Sequence, residues 1–130
     1  MDEKMQQRPV EKTRGMRHLF DASRYSWGGL KRIVAEPAFR QEVGIYLAVV
    51  ALFAVSGAGI TDHVIAFILF LLLIAVEALN TAIEELVDRV SPEFSHMARH
   101  AKDLGSFAVA CLLLAGFAWT VAVLVRLWVF

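Results

Sequence analysis

The chain has 130 residues, 58% of them hydrophobic and only 20% charged, too apolar a balance for a water-soluble domain of this length unless the excess faces lipid. Its 13 Lys and Arg offset 13 Asp and Glu, so no strongly basic surface points to nucleic acid as a partner. The single cysteine, Cys111, lies in an apolar stretch, which excludes an internal disulfide and offers no metal-ligand spacing.

Residues 1–14, rich in Gln and charge and interrupted by Pro9, read as a disordered extension. No secretory signal is expected, because the first apolar run follows roughly forty mostly polar residues without a small-residue cleavage pattern. Residues 15–35 repeat apolar and aromatic side chains at helical spacing, through Met16, Leu19, Phe20, Trp27, Leu30, Ile33 and Val34. Arg17, Arg24, Lys31 and Arg32 fall on the other side, the pattern of an amphipathic helix lying at a membrane interface. A surface helix packed on its own bundle fits the same pattern. Gly28 and Gly29 are expected to kink this helix. Glu36-Pro37 ends it, since the residue before a proline disfavours the helical region and Pro37 suits the first position of a new helix.

Three apolar spans follow, over about 38–57, 62–90 and 104–128. The turn at 56–63 carries no Lys or Arg, and the stretch 93–103, EFSHMARHAKD, reads as a short polar connector after Ser91-Pro92. The third span is uncharged from 104 to 125 and offers Gly105, Ser106, Ala108, Ala110 and Gly116 for close helix packing. Nine Lys or Arg lie between Lys4 and Arg40, none in the turn, and three (Arg89, Arg99, Lys102) around the connector. The positive-inside rule therefore predicts a cytoplasmic N-terminus and connector, and an external C-terminus.

The second span runs without a breaker into VEALNTAIEELVDRV, residues 76–90. At about 100° per residue, Glu77, Asn80, Thr81, Glu84 and Asp88 fall within one polar stripe, at roughly 0, 300, 40, 340 and 20°. Glu85 and Arg89 fall beside it and read as solvated charges. Glu77 differs, because both of its sequence neighbours are apolar and a carboxylate near hydrocarbon costs about 2.5 to 3.5 kcal/mol on insertion scales. It is expected to face a protein interior or a wet cavity.

Acids from three segments meet at the predicted cytoplasmic end: Glu36 and Glu42; Glu77, Glu84 and Asp88; and Asp103 beside Lys102, with Arg40, Tyr25 and His18 in reach. Clustered hard oxygen ligands with a Lys nearby suit Mg²⁺ carrying phosphates, and a partly desolvated Glu77 suits a general base acting on an alcohol at the lipid boundary. No P-loop and no kinase-type GxGxxG is present. Residue types alone fit an ion or proton pathway as well as phosphoryl transfer, and a membrane assembly protein is a third possibility. The outer halves of the spans carry almost no polar residues, which weighs against transport.

EALNTAIEELVDRV and AKDLGS, preceded by YSWGGL and AFRQE, resemble the bacterial integral-membrane diacylglycerol kinase family, over nearly all of the chain from residue 15 onward. The resemblance implies an all-α homotrimeric bundle, each subunit with an N-terminal amphipathic surface helix and three transmembrane helices. It also implies a bacterial inner-membrane location, and transfer of the ATP γ-phosphate to a membrane alcohol with Mg²⁺. By position, Glu77 resembles the catalytic base, and Glu36 and Glu84 the metal-bridging acids. Asn80, Lys102 and Asp103 match positions needed for activity. ATP would be met by His18, Tyr25, Glu36, Glu84, Glu93, Phe94, Ser95, Lys102 and Asp103, with Arg17 an alternative to His18. Lipid would be met by Ser23, Arg24, Tyr25, Ser26 and Trp27, by Ala38, Phe39, Arg40, Gln41 and Glu42, and by Glu77 and Ser106. Some family members phosphorylate undecaprenol; the YSWGGL helix and AFRQE junction look more like the diacylglycerol branch.

Overall fold

The computed structural model describes residues 16–91, 93 and 95–129, and side chains from Phe20 onward. The expected extension over 1–14, Phe94 and the side chain of His18 lie outside the described residues. The described chain is helical: α1 (Met16–Val34), α2 (Pro37–Ser56), α3 (Ile60–Val90) and α4 (His96–Val129). The last three are each long and apolar enough to cross a membrane.

The helix boundaries have local causes. Glu36 is extended at φ −73° and ψ 134°, as a residue before proline should be, and Pro37 opens α2 where its missing N–H costs nothing. At the other end of α2, Gly57 adopts φ 78° and donates its N–H to Ala54 O, while Ala58 N–H reaches Phe53 O at 3.0 Å. That left-handed cap, which a side chain would strain, turns the chain back into α3. Asp62, in the first turn of α3, reaches back to accept the Gly59 N–H at 3.0 Å. It thereby satisfies one of the orphan donors of a helix start.

One expectation is corrected here. The polar stretch 93–103 is not a connector throughout, because α4 begins at His96. Ser95 accepts the Ala98 N–H on its hydroxyl at 3.1 Å and the Arg99 N–H on its carbonyl at 3.1 Å, an N-cap followed by good helix formers. Polarity marked water and not the loss of helix. At Gly28-Gly29, where a kink was expected, α1 stays helical through both residues.

α3 and α4 pack together along their lengths, α2 lies against both, and α1 touches α2 and α3 only lightly. Among the described side chains of α1, Ile33 is buried, whereas Phe20, Tyr25, Trp27 and Leu30 stay exposed. The tightest packing lies at the end away from α1, where Phe53, Ala66 and Val123 form a core flanked by Tyr46, Val49, Trp119 and Leu127. In a lipid setting that core gains from dispersion and close fit and hardly from water exclusion. The same end is closed by Arg126, whose Nη2 donates to Asp62 Oδ2 at 2.7 Å, and by Trp119 Nε1, which donates to Asp62 O at 3.3 Å. Most other apolar side chains of the spans remain uncovered within one chain, as lipid or neighbouring copies require.

Candidate functional site

The loosely packed end holds the acidic stripe. Glu77 and Asn80 lie one turn apart on α3 and are both 8% exposed. Glu42 on α2 is 6% exposed. Ala38, Gln41, Glu42, Glu77, Asn80 and Ser106 line one cavity of about 280 Å³ between α2, α3 and α4. Five residues predicted for the lipid, Ala38, Gln41, Glu42, Glu77 and Ser106, are thus brought to one place. Phe39 is half-buried and Arg40 exposed, and neither lines this cavity.

Glu42, Ile45 and Leu113 are shared walls with a second, apolar groove of about 310 Å³, which runs along Tyr46, Phe70, Leu73, Gly116 and Phe117 towards Trp119. A chamber with carboxylate and amide groups in its wall therefore adjoins an oily groove. Two buried oxygens of these residues, Glu42 Oε2 and Asn80 Oδ1, have no hydrogen-bond partner, and Asn80 Oδ1 lies against Gly105 of α4. A buried oxygen is costly to leave unpaired, so Glu42 Oε2 points to a ligand that donates a hydrogen bond.

Asn80 Nδ2 donates to Glu84 Oε1 at 3.0 Å, one turn further along the stripe. Glu84 and Glu36 are both near enough for their charges to act on Glu77, as Glu77 acts on Glu42. The acids of α2 and α3 therefore form one electrostatic group. Among the described residues no cluster of three or more His, Cys, Asp or Glu is arranged to hold a metal by itself.

Glu36 is engaged by Arg32, whose Nη1 donates to Glu36 Oε1 at 2.5 Å. The same guanidinium donates from Nε at 2.8 Å and Nη2 at 2.5 Å to Glu85 Oε1. Glu85 is thus not merely solvated but ties α3 to the end of α1. These two carboxylates, Glu85 foremost, hold the Arg32 guanidinium above its ordinary pKa.

Lys102 and Asp103 are neighbours in sequence but part in space. Lys102 Nζ crosses to Asp88 Oδ1 at 2.5 Å, and Asp103 Oδ2 lies 3.7 Å from Arg99 Nε. Lys102 on α4 therefore reaches α3 at Asp88, which stands one helical turn from Glu84. Glu93 is exposed, and Ser95 serves as the cap already described. On α1, Ser23, Ser26 and Trp27 line an open depression with Ala22 and Leu30, whereas Arg24 and Tyr25 are exposed beside it.

Sequence reasoning missed Arg32, Gly105's particular neighbour and the Asp62–Arg126 pair. Opposite charges at the outer ends of two apolar spans were the available signal for that pair. Of the small residues expected to pack closely, Gly105 is buried with Asn80 against it, while the space around Gly116 is open.

Comparison with known proteins fits this arrangement. Residues 24–125 match the family model described as prokaryotic diacylglycerol kinase. A diacylglycerol kinase of Sinorhizobium sp is 56% identical over 107 residues, covering 82% of this chain and 78% of the relative. The diacylglycerol kinases of Escherichia coli K12 and Haemophilus influenzae are 38% and 34% identical, covering 84% and 83% of this chain and 91% and 93% of their own. With three helices able to span a membrane and a family match across most of its length, this multi-pass membrane protein belongs to the prokaryotic diacylglycerol kinase family.

Proposed function

We propose that this protein transfers the γ-phosphate of ATP to the free hydroxyl of 1,2-diacylglycerol, giving phosphatidic acid and ADP. The observation that carries the reading is the chamber walled by Glu77, Glu42, Asn80 and Ser106, which shares Glu42, Ile45 and Leu113 with an apolar groove. An amphiphilic alcohol would find there a place for its polar end and, alongside it, one for its chain. The relatives' shared name, diacylglycerol kinase, supports diacylglycerol as that alcohol.

In this reading Glu77 takes the hydroxyl proton as the alcohol oxygen bonds to the γ-phosphorus and the bond from that phosphorus to the departing ADP oxygen breaks. The proton rests on Glu77, and the electron pair leaves with ADP. Phosphoryl transfer asks mainly for positioning and charge neutralisation, so a single buried base and a set of charged side chains suffice. Lys102 would neutralise phosphate charge and Asp103 would orient the nucleotide, with Tyr25, Glu93, Phe94, Ser95 and His18 completing its surroundings.

Mg²⁺ fits the donor set. A phosphate-bound Mg²⁺ takes only one or two carboxylates and completes its shell with phosphate oxygens and water. Glu84 keeps Oε2 outside its bond to Asn80, and Glu36 keeps Oε2 outside its bond to Arg32. When bound, Mg²⁺ supplies charge neutralisation at the transferring phosphate.

The same proposal places the N-terminus and the site on the cytoplasmic side of the bacterial inner membrane and the C-terminus in the periplasm, from the Lys and Arg distribution. It lays α1 in the interface, where exposed Phe20, Tyr25 and Trp27 meet lipid. It takes the working form as a homotrimer, as the family resemblance implies, with the apolar faces that one chain leaves uncovered available to neighbouring copies.

The test is transfer of labelled γ-phosphate from ATP by purified protein in detergent, with diacylglycerol and undecaprenol offered side by side, with and without Mg²⁺. Mg²⁺-dependent label in phosphatidic acid is the expected result. Label in polyprenyl phosphate would move the protein to the other branch of the family. Label in neither would overturn the kinase reading.

A further inference from the structure

The geometry points to Gly105 as a positioning residue for the Glu84 carboxylate, acting through Asn80. Gly105 is buried within α4, where it faces α3. Glycine inside a helix weakens it relative to alanine, so its presence in a 34-residue helix asks for a reason. The other helical glycines, Gly28, Gly29, Gly44 and Gly116, have open space where a β-carbon would stand. At Gly105 that space is filled by the Asn80 side chain. A β-carbon there would fall on Asn80 Oδ1 and would also lie 3.2 Å from Cγ and 3.7 Å from Cβ.

Asn80 thus lies where a side chain at 105 would otherwise be, and it is held there by shape. Its Oδ1 is buried and accepts from nothing, so no hydrogen bond of its own fixes that half of the amide. The other half, Nδ2, donates to Glu84 Oε1 at 3.0 Å. Turning the amide over would put its nitrogen on the same spot and would not relieve a β-carbon at 105. Relief needs the Asn80 side chain to rotate at χ1 or part-way at χ2, and either rotation takes Nδ2 out of line with Glu84 Oε1. The missing side chain on α4 therefore sets the direction of a carboxylate on α3, in the way outer residues orient ligating ones.

This inference rests on Glu84 as a metal-bridging acid, as proposed above. It is tested by titrating Mn²⁺ against the full-length protein with ADP, read by electron paramagnetic resonance, in the wild type, G105A, N80A and the double variant. Loss of a residue that orients a metal ligand typically weakens metal binding about 10-fold or more, and G105A is expected to show that loss. N80A should match it, and the double variant should bind no more weakly than N80A alone. The double variant also relieves the clash, so it keeps the test decisive should G105A fail to fold. Wild-type affinity in G105A, or losses that add in the double variant, would overturn the role of Gly105. Absence of nucleotide-dependent Mn²⁺ binding in the wild type would instead overturn the metal assignment on which it rests.

Discussion

Arg126, at the end of α4, donates to the nearly buried carboxylate of Asp62 at the start of α3. The two partners are unequal, with side chains 55% and 5% exposed, so each has a different fate when the other is lost. A freed Arg126 can turn to water or lipid headgroups, whereas Asp62 without Arg126 is an uncompensated charge in a closed site. Arg126→Ala is therefore expected to lower the thermal midpoint in detergent more than Asp62→Asn does. An equal or smaller loss in Arg126→Ala, followed by circular dichroism, would mean that Asp62 is not left uncompensated when Arg126 is gone.

Glu77→Gln should remove transfer while leaving the fold in place. A positioned general base contributes about 10²- to 10⁴-fold, and the amide cannot take the proton. The check is initial rate beside the elution volume of the detergent-solubilised protein. Near-normal rate from this variant would take Glu77 out of the chemistry.

Arg32→Gln should lower the Mg²⁺ concentration that gives half-maximal rate, because Arg32 and a divalent cation compete for Glu36. The effect should shrink as salt is added, since the partners are exposed and screened. A higher Mg²⁺ requirement would show that the guanidinium helps to bind the nucleotide.

Ser95→Ala should loosen the first turns of α4. Loss of an N-cap costs about 1 kcal/mol, and the affected turns lead to Lys102 and Asp103. Hydrogen exchange over 96–103 is expected to quicken, and the KM for ATP to rise more than the KM for lipid. Unchanged exchange there would show that packing against α3, and not the cap, holds this segment.

The helices and the Glu77–Asn80–Glu84 row were legible in the sequence because both follow from spacing along one chain: an apolar run sets a span, and residues three or four apart share a face. Pro37 was legible for the same local reason. What stayed hidden lies between helices. Asp62 and Arg126 are 64 residues apart, and Arg32 and Glu85 are 53 apart; their meeting depends on the rotation and height of whole helices, which no local pattern encodes. Gly105 was legible as small but not as the seat of one particular side chain. The start of α4 was misread because polarity was taken for loss of helix, although Ser95 ahead of MARHAKD is a capping signal.

The length of α3 has a consequence for depth. At 1.5 Å per residue its 31 residues reach about 46 Å, against a hydrocarbon layer of about 30 Å. From Asp62 to Glu77 the rise is about 22 Å, and Glu84 and Asp88 stand about 10 and 16 Å further along. The helix is a ruler: measured from Asp62 at one face of a hydrocarbon layer of about 30 Å, Glu77 falls about 8 Å short of the other face, Glu84 just past it and Asp88 about 9 Å beyond it. On the function proposed above, the lipid hydroxyl would meet Glu77 without leaving the layer, and ATP would meet Glu84 at its rim. Membrane thickness then becomes a setting of the enzyme, since a thicker or thinner layer slides the alcohol along a scale whose marks cannot move.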